Sequence, residues 1–291
     1  MNDRDKRKLF NYFISSRKSV PYYFPIDFEH WCESMFHDCD YDGKPLFSHL
    51  KTFLLMNEDE IEGFIQFGLT SFIFDKHGEK DYSKQYAVIR NIHFIEHAKN
   101  PHLLLDKANE YFDGLKIAKR YAYFHYFGMS CYARQGKLHD TEFHIEHLLF
   151  DYGFVKEHEN VYYSKPLQDE STSDIPEIDF IFSDNGQHIS FMKHDEKIGG
   201  CELNFLPQGD ICFLKWIFID EKYSHQGLGT KCMGKLFYVL KSKGILRLDT
   251  DTADNNINAQ GYYIKTGFSD MGRMRSYCRK VNFFRKLAKN A

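Results

Sequence analysis

Hydrophobic positions along this chain of 291 residues change period repeatedly, and each change marks an element. Leu9, Phe10, Tyr12, Phe13 and Ile14 stand among charges and predict a first helix that stops before Pro21. A second helix is expected from Asp27, its N-cap, to about His37, with Phe28, Trp31, Cys32, Met35 and Phe36 on one face. After a loop from Tyr41 to Pro45, strands are expected at Phe47 to Met56, Ile61 to Phe74 and Tyr86 to Phe94, forming an antiparallel meander. Asn100 and Pro101 then open a helix to about Ala118, with Asn100 as its cap. Tyr121 to Phe127 reads as strand, Glu142 to Tyr152 as helix, and Val155 to Ser164 as strand. The second half offers short strands at Asp179 to Phe182, His188 to Met192 and Ile198 to Phe205, then an apolar run from Phe213 to Ile219. Leu228, Cys232, Leu236 and Leu240 follow at fourfold helical spacing, and Ile245 to Thr252 is another strand.

The length fits two domains of ordinary size, each able to bury a core. Pro166 to Pro176 is polar and poor in apolar residues, which is linker composition, so the division is placed at 1–165, linker 166–177 and 178–291. A net charge of −3 and a pI near 6.6 argue against a nucleic-acid or anionic-membrane partner, either of which wants a basic face. The seven cysteines show no regular pairing and read as free thiols of a reducing, cytoplasmic protein. The charged first residues lead into no signal region, and no apolar run approaches the roughly 18 residues of a membrane span.

The densest point lies between the Phe213 strand and the Leu228 helix: Tyr223, Ser224, His225, Gln226, Gly227, Leu228, Gly229, Thr230. Two glycines at a strand-to-helix turn let a ligand approach the backbone, and the first helical turn offers free N–H groups to an anion. Further on, Asn256, Ala259, Tyr263, Gly267 and Phe268 stand at the spacing Asn-x-x-Ala-x-x-x-Tyr-x-x-x-Gly-Phe. Together the two stretches resemble the GCN5-related N-acetyltransferase (GNAT) family, which moves acyl groups from acyl-coenzyme A to amines. The resemblance implies that the loop at His225, Gln226, Gly227, Leu228, Gly229 and Thr230 holds the pyrophosphate of acetyl-coenzyme A. It implies that the backbone of Ile217, Phe218 and Ile219 bonds the pantetheine arm, that Asn256 contacts the cofactor, and that Tyr263 protonates the departing thiolate. Ser224 stands where the family has Arg or Gln, so a charged contact to the phosphates is either missing or supplied by His225 or Gln226.

The element order of residues 1–165 is that of the same fold, and Gly153-Phe154 stands where Gly267-Phe268 stands later. The expected fold class is therefore α/β (α+β), with two tandem acetyltransferase-like domains, each a mixed, mostly antiparallel twisted sheet flanked by helices. The first copy reads as degenerate, since its turn from Glu96 to His102 has no glycine and Pro101 lacks an N–H. The second copy lacks the two early helices that border the acceptor site in the family.

Acyl transfer to an amine needs a held donor, a neutral amine, a stabilised oxyanion and a proton for the leaving sulfur. Tyr263 is the expected acid, with Tyr262 as substitute, while side chains of the Ile217 to Ile219 strand read as core. The family's strand carboxylate falls on Phe213, so the base is unassigned among Glu202, Asp249, Asp251, His225 and a water relay. Histidine groups at His93 and His97, or His139, His144 and His147, lack a metal-ligand pattern, and no metal is expected. A dinucleotide fold is rejected because the third glycine and the acidic ribose residue are missing. The expected function is acetyl transfer from acetyl-coenzyme A to a primary amine of a small molecule or peptide; the alternative is a non-catalytic coenzyme A sensor or interaction module.

Overall fold

The computed structural model describes residues 1–115, 117, 119–133, 136–168 and 177–280, in two compact units. The first unit comprises Met1–Glu159 and the described residues from Met274 on; the second is Asn160–Arg273. The sequence-based division at 166–177 differs from this, and residues 169–176 of that linker lie outside the described residues.

The first unit starts with α1 (Asp3–Ser16) and α2 (Phe28–Phe36). Asp27 caps α2 as expected, its carboxylate accepting the His30 N–H at 2.9 Å. Strands β1 (Phe47–Asn57) and β2 (Glu60–Thr70) pair antiparallel, and a small hairpin of β3 (Ile73–Phe74) and β4 (Lys80–Asp81) follows. Next come β5 (Ala87–Phe94), α3 (His102–Asp113), β6 (Lys119–Ala122), β7 (Leu138–His139), α4 (Phe143–Asp151) and β8 (Val155–Pro166). Helix α3 departs from expectation at its start. Asn100 sits at a φ of 56°, in the left-handed region, and no side chain caps the helix. The predicted strand at Tyr121 to Phe127 also ends early, because Tyr123 turns to a φ of 55° and a 3-10 turn follows at His125–Phe127.

The second unit contains β9 (Asp179–Ser183), β10 (His188–Lys193), β11 (Glu196–Phe205), β12 (Ile211–Ile219), α5 (Leu228–Ser242), β13 (Arg247–Ala253) and α6 (Ile257–Lys265). The chain's last described strand is β14 (Ser269–Lys280). Strands β9 to β12 form an antiparallel meander, and β12 runs parallel to β13. Leu228, Cys232, Met233, Leu236 and Leu240 of α5, with Tyr263 of α6, bury against Cys201, Leu203, Cys212, Leu214 and Leu248 of the sheet. The fourfold spacing in α5 is thus the stripe that holds the helix on its sheet.

Each unit completes its sheet with part of a strand that spans the boundary between the two units. In the second unit, β13 pairs antiparallel with the later half of β8, from Arg247 opposite Pro166 to Ala253 opposite Asn160. In the first, β14 pairs with β6 from Tyr277 opposite Ala122 to Lys280 opposite Lys119, and with β7 at Met274 and Arg275. The sequence reading did not place β14, and it closed the first domain with the whole of β8.

Candidate active site

The site grows from an irregularity in β12. Along the β11 ladder Glu202 faces Trp216 and Leu203 faces Leu214, so Lys215 is the extra residue of a bulge. On its other edge β12 pairs with β13 only from Ile211 opposite Arg247 to Leu214 opposite Thr250. Past that point the two parallel strands separate. Ile217, Phe218 and Ile219 therefore keep backbone polar groups that β13 does not bond, facing the gap between the strands.

The gap ends at the start of α5. His225 lies at a φ of 60° and Gly227 at 75°, and these two left-handed residues curl the backbone so that N–H groups converge on its concave side. Gly227 is needed for that angle, since a Cβ there would meet nothing within 4 Å. At Gly229 a Cβ would fit at ordinary contact distance, 3.5 Å from the Tyr262 ring and 3.6 Å from Ile219 Cγ1, so it is atoms beyond Cβ that lack room there. The first intrahelical bond of α5 runs from the Lys231 N–H to the Gly227 carbonyl at 3.2 Å. The N–H groups of Leu228, Gly229 and Thr230 thus precede the helical ladder, and no acidic residue occupies the first turn. The loop is fastened by Ser224, whose hydroxyl donates to Glu221 O at 2.7 Å, and by Gln226, whose amide donates to Lys222 O at 3.2 Å.

These features enclose a cavity of 720 Å³. Of the residues singled out from sequence, Ile217, Phe218, Ile219, His225, Gly227, Leu228, Gly229, Thr230 and Tyr263 line it, and Gln226 and Asn256 are not among its lining. Asn256 instead caps α6, its side-chain oxygen accepting the Ala259 N–H at 3.2 Å. An Asn three residues before a helical Ala is itself an N-cap signal, which offers a local reason for the residue. Lining residues that went unassigned as ligand contacts include Tyr223, Ser224, Asn258, Gly261 and Lys265.

Two phenols reach this cavity from α6 and differ in what they bond. Tyr262 donates to the Gly229 carbonyl at 2.8 Å, tying α6 to the first turn of α5. Tyr263, packed against Tyr163 and Phe268, places its hydroxyl 3.5 Å from Thr250 Oγ1, which donates to Leu214 O at 2.9 Å. Leu214 and Thr250 are the last pair before β12 and β13 part. The Tyr263 phenol therefore stands at the head of the gap. Burial raises its pKa above the ordinary 10, so it holds its proton at neutral pH.

The carboxylates considered as bases are already engaged. Asp249 is fully buried and accepts from Tyr162 and Ser164 hydroxyls, both at 2.6 Å, and from Arg247 Nη2 at 2.8 Å. Glu202 meets Lys215 Nζ at 2.5 Å and the Trp216 indole N–H at 2.6 Å, and although burial opposes it, these donors hold its carboxyl below the usual range. Asp251 accepts from the Asn160 amide at 2.7 Å. We expect Asp249→Ala to destabilise the protein by about 2–4 kcal/mol, the cost of leaving buried donors unpaired, without altering cofactor affinity. Chemical denaturation and calorimetry check the two halves.

The first unit repeats this framework and fills it. Its ladder skips Arg90 as β12 skips Lys215, and β5 pairs parallel with β6 only from Ala87 to Ile89. Beyond Ile89 the buried Tyr123 enters: its hydroxyl donates to Ile92 O and accepts the Ile92 N–H at 3.4 Å. Arg90 is spent on structure, donating to Phe127 O and Ser34 O at 2.9 Å and to Asp38 at 2.7 Å. Titration calorimetry should accordingly find one acetyl-coenzyme A per chain, and a stoichiometry of two would show that the first unit opens. Its histidines also serve the fold, with His93 bonded to Tyr12 at 2.8 Å and His144 to Phe94 O at 3.0 Å. Among the described residues no group of three or more potential ligands gathers to hold a metal, and no helix is long and apolar enough to cross a membrane.

A parallel strand pair that splits beside a glycine-bearing helix N-terminus, with a phenol at the head of the split, defines an α/β fold of the acyltransferase class. Residues 152–268 match the model of the Acetyltransferase (GNAT) family. Its fold is similar to a tandem GNAT protein from the clavulanic acid biosynthesis pathway, 10% identical over 96% of both chains with a TM-score of 0.67. It is also similar to the GCN5-related glucosamine N-acetyltransferase region of a fungal multi-domain β-N-acetylglucosaminidase. That match is 11% identical, covers 96% of this chain and 37% of the longer one, and has a TM-score of 0.61. A GCN5-related N-acetyltransferase from Sphaerobacter thermophilus is 8% identical over 87% of this chain and 85% of its own, with a TM-score of 0.56. At such identities the likeness establishes the fold. No curated protein sequence matches the chain.

Proposed function

We propose that the protein is an N-acetyltransferase that moves the acetyl group of acetyl-coenzyme A to a primary amine by direct attack in a ternary complex. The observation that carries this reading is the 720 Å³ cavity joining three parts: the split edge of β12, the α5 N-terminus and the Tyr263 phenol. The pyrophosphate would lie on the N–H groups of Leu228, Gly229 and Thr230, with His225 and Lys265 as nearby side-chain partners in place of the absent Arg or Gln. The pantetheine arm would lie along Ile217 to Ile219, adding the hydrogen bonds that β13 no longer supplies there. A neutral amine nitrogen then attacks the thioester carbon. The N–C bond forms, the C–S bond breaks, Tyr263 gives its proton to the leaving sulfur, and water takes the proton from the ammonium.

Glu202, Asp249 and Asp251 each hold donors of their own, which supports a solvent relay over a side-chain base. The same commitment favours a second reading, a coenzyme A sensor without turnover. A panel of primary amines with acetyl-coenzyme A, followed by free-thiol release, separates the two. Turnover with an acceptor supports the enzyme, and tight binding with no thiol release across the panel supports the sensor.

A further inference from the structure

The face of the second unit's sheet opposite α5 carries a feature that the donor site leaves unexplained. Past the bulge at Lys215, the side chains of β12 alternate. Ile217 and Ile219 pack toward the core, while Trp216 and Phe218 stay 40% and 43% exposed on the other face. Their rings lie side by side, with centroids 5.7 Å apart and planes inclined at 39°. Two such rings on a sheet face leave a large apolar surface in water.

The surroundings fix the Trp216 ring in place. The indole N–H of Trp216 is held by Glu202 at 2.6 Å, and Glu202 is held in turn by Lys215 at 2.5 Å. The ring of His188 lies 6.3 Å from that of Trp216 on the far side. Trp216 thus offers its ring face, its one polar group being already bonded. Phe218 faces Gly200 across the ladder and Gly200 faces Ser190, so the cross-strand positions beside that ring carry a small side chain or none.

We propose that this pair is the acceptor platform, and that the acceptor is a primary amine carried by a short alkyl arm on an aromatic ring. The proposal rests on the acetyl-transfer reading above. Phe218 belongs both to the platform and to the wall of the donor cavity, which makes the two surfaces continuous. Trp216 lies two residues past the last β12–β13 pair, roughly 6 Å along the strand from the head of the gap. A ring stacked on Trp216 therefore brings an amine on a short arm to the thioester. The ring faces also attract the ammonium form before it loses its proton.

The test uses the whole protein, with 2-phenylethylamine as probe and spermidine and an Nα-blocked lysine as competitors. Of the two tryptophans Trp31 is fully buried, so a solvent-sensitive change in emission reports Trp216. We expect 2-phenylethylamine to shift that emission to shorter wavelength and to be acetylated with the highest kcat/KM of the three. Trp216→Ala should abolish the shift and raise the KM for 2-phenylethylamine about tenfold, the usual scale of one stacked ring, with the KM for acetyl-coenzyme A unchanged. Trp216→Phe should restore most of the affinity, which a merely structural role would not require. A higher kcat/KM for spermidine or lysine, or an unchanged KM in Trp216→Ala, overturns the platform while leaving acetyl transfer standing. An emission shift with no turnover supports the platform and sinks the acetyl-transfer reading instead.

Discussion

Gly229→Trp will abolish the binding of acetyl-coenzyme A and leave the protein folded. Position 229 lies in the first turn of α5, whose N–H groups are proposed to hold the pyrophosphate, and any atom beyond Cβ there must enter the cavity between Ile219 and Tyr262. A Cβ alone makes contacts of 3.5 Å to Tyr262 and 3.6 Å to Ile219, so Gly229→Ala fits at ordinary van der Waals distance. It should cost no more than about threefold in affinity, less than about 0.7 kcal/mol. The indole cannot fit without displacing the phosphates or prising α6 from α5, where Tyr262 bonds the Gly229 carbonyl at 2.8 Å. A loss of at least about 100-fold, or 2.7 kcal/mol, is expected. Gly227→Ala acts differently, since its φ of 75° is strained for any other residue though the space is open. It should lower stability by about 1 kcal/mol and affinity in proportion to how far the loop relaxes. Calorimetry on the three variants, with thermal unfolding as a fold check, decides. Full affinity in Gly229→Trp would end the assignment of this loop to the pyrophosphate.

The residues that were legible in sequence are those whose chemistry leaves few substitutes. Gly227 needs its positive φ, Gly229 needs a side chain no larger than a methyl group, and Asp27 needs a carboxylate one position ahead of α2. Each can be read locally. What escaped the reading depends on long-range pairing. A bulge at Lys215 leaves no mark in the hydrophobic pattern, yet past it Phe218 faces outward beside Trp216, where the Ile217 to Ile219 side chains read as core in the sequence. The strand β14 escaped for a related reason. Arg273, Arg275 and Arg279 interrupt its apolar positions, and the charge of Arg275 is absorbed by Glu146 and Glu159, partners far away in sequence. Tyr123 reads as one more strand aromatic, and only its place past the end of the β5–β6 pairing shows that it fills the first unit's gap.

Tyr263→Phe should lower turnover by about 10- to 1000-fold, the scale of general-acid contributions, while leaving acetyl-coenzyme A affinity nearly unchanged. The ring is 5% exposed and packed on Tyr163 and Phe268, contacts that phenylalanine keeps. What the variant loses is the hydroxyl, whose protein neighbour is Thr250 Oγ1 at the long distance of 3.5 Å, so little stability goes with it. Tyr262→Phe is the control and should behave in the opposite way. Its hydroxyl holds the Gly229 carbonyl at 2.8 Å, so its loss should weaken cofactor binding by about 0.5–1.5 kcal/mol and touch the chemical step less. The pH profile adds an independent check. Because burial raises the Tyr263 pKa above its ordinary value, the acid stays protonated as pH climbs from 7 to 9. The rate should therefore rise with deprotonation of the amine and show no alkaline fall in that range. A thiolate is a good leaving group, so the loss in Tyr263→Phe will be greatest with acceptors whose chemical step limits turnover. Full turnover of Tyr263→Phe with such an acceptor would reduce this phenol to a core residue.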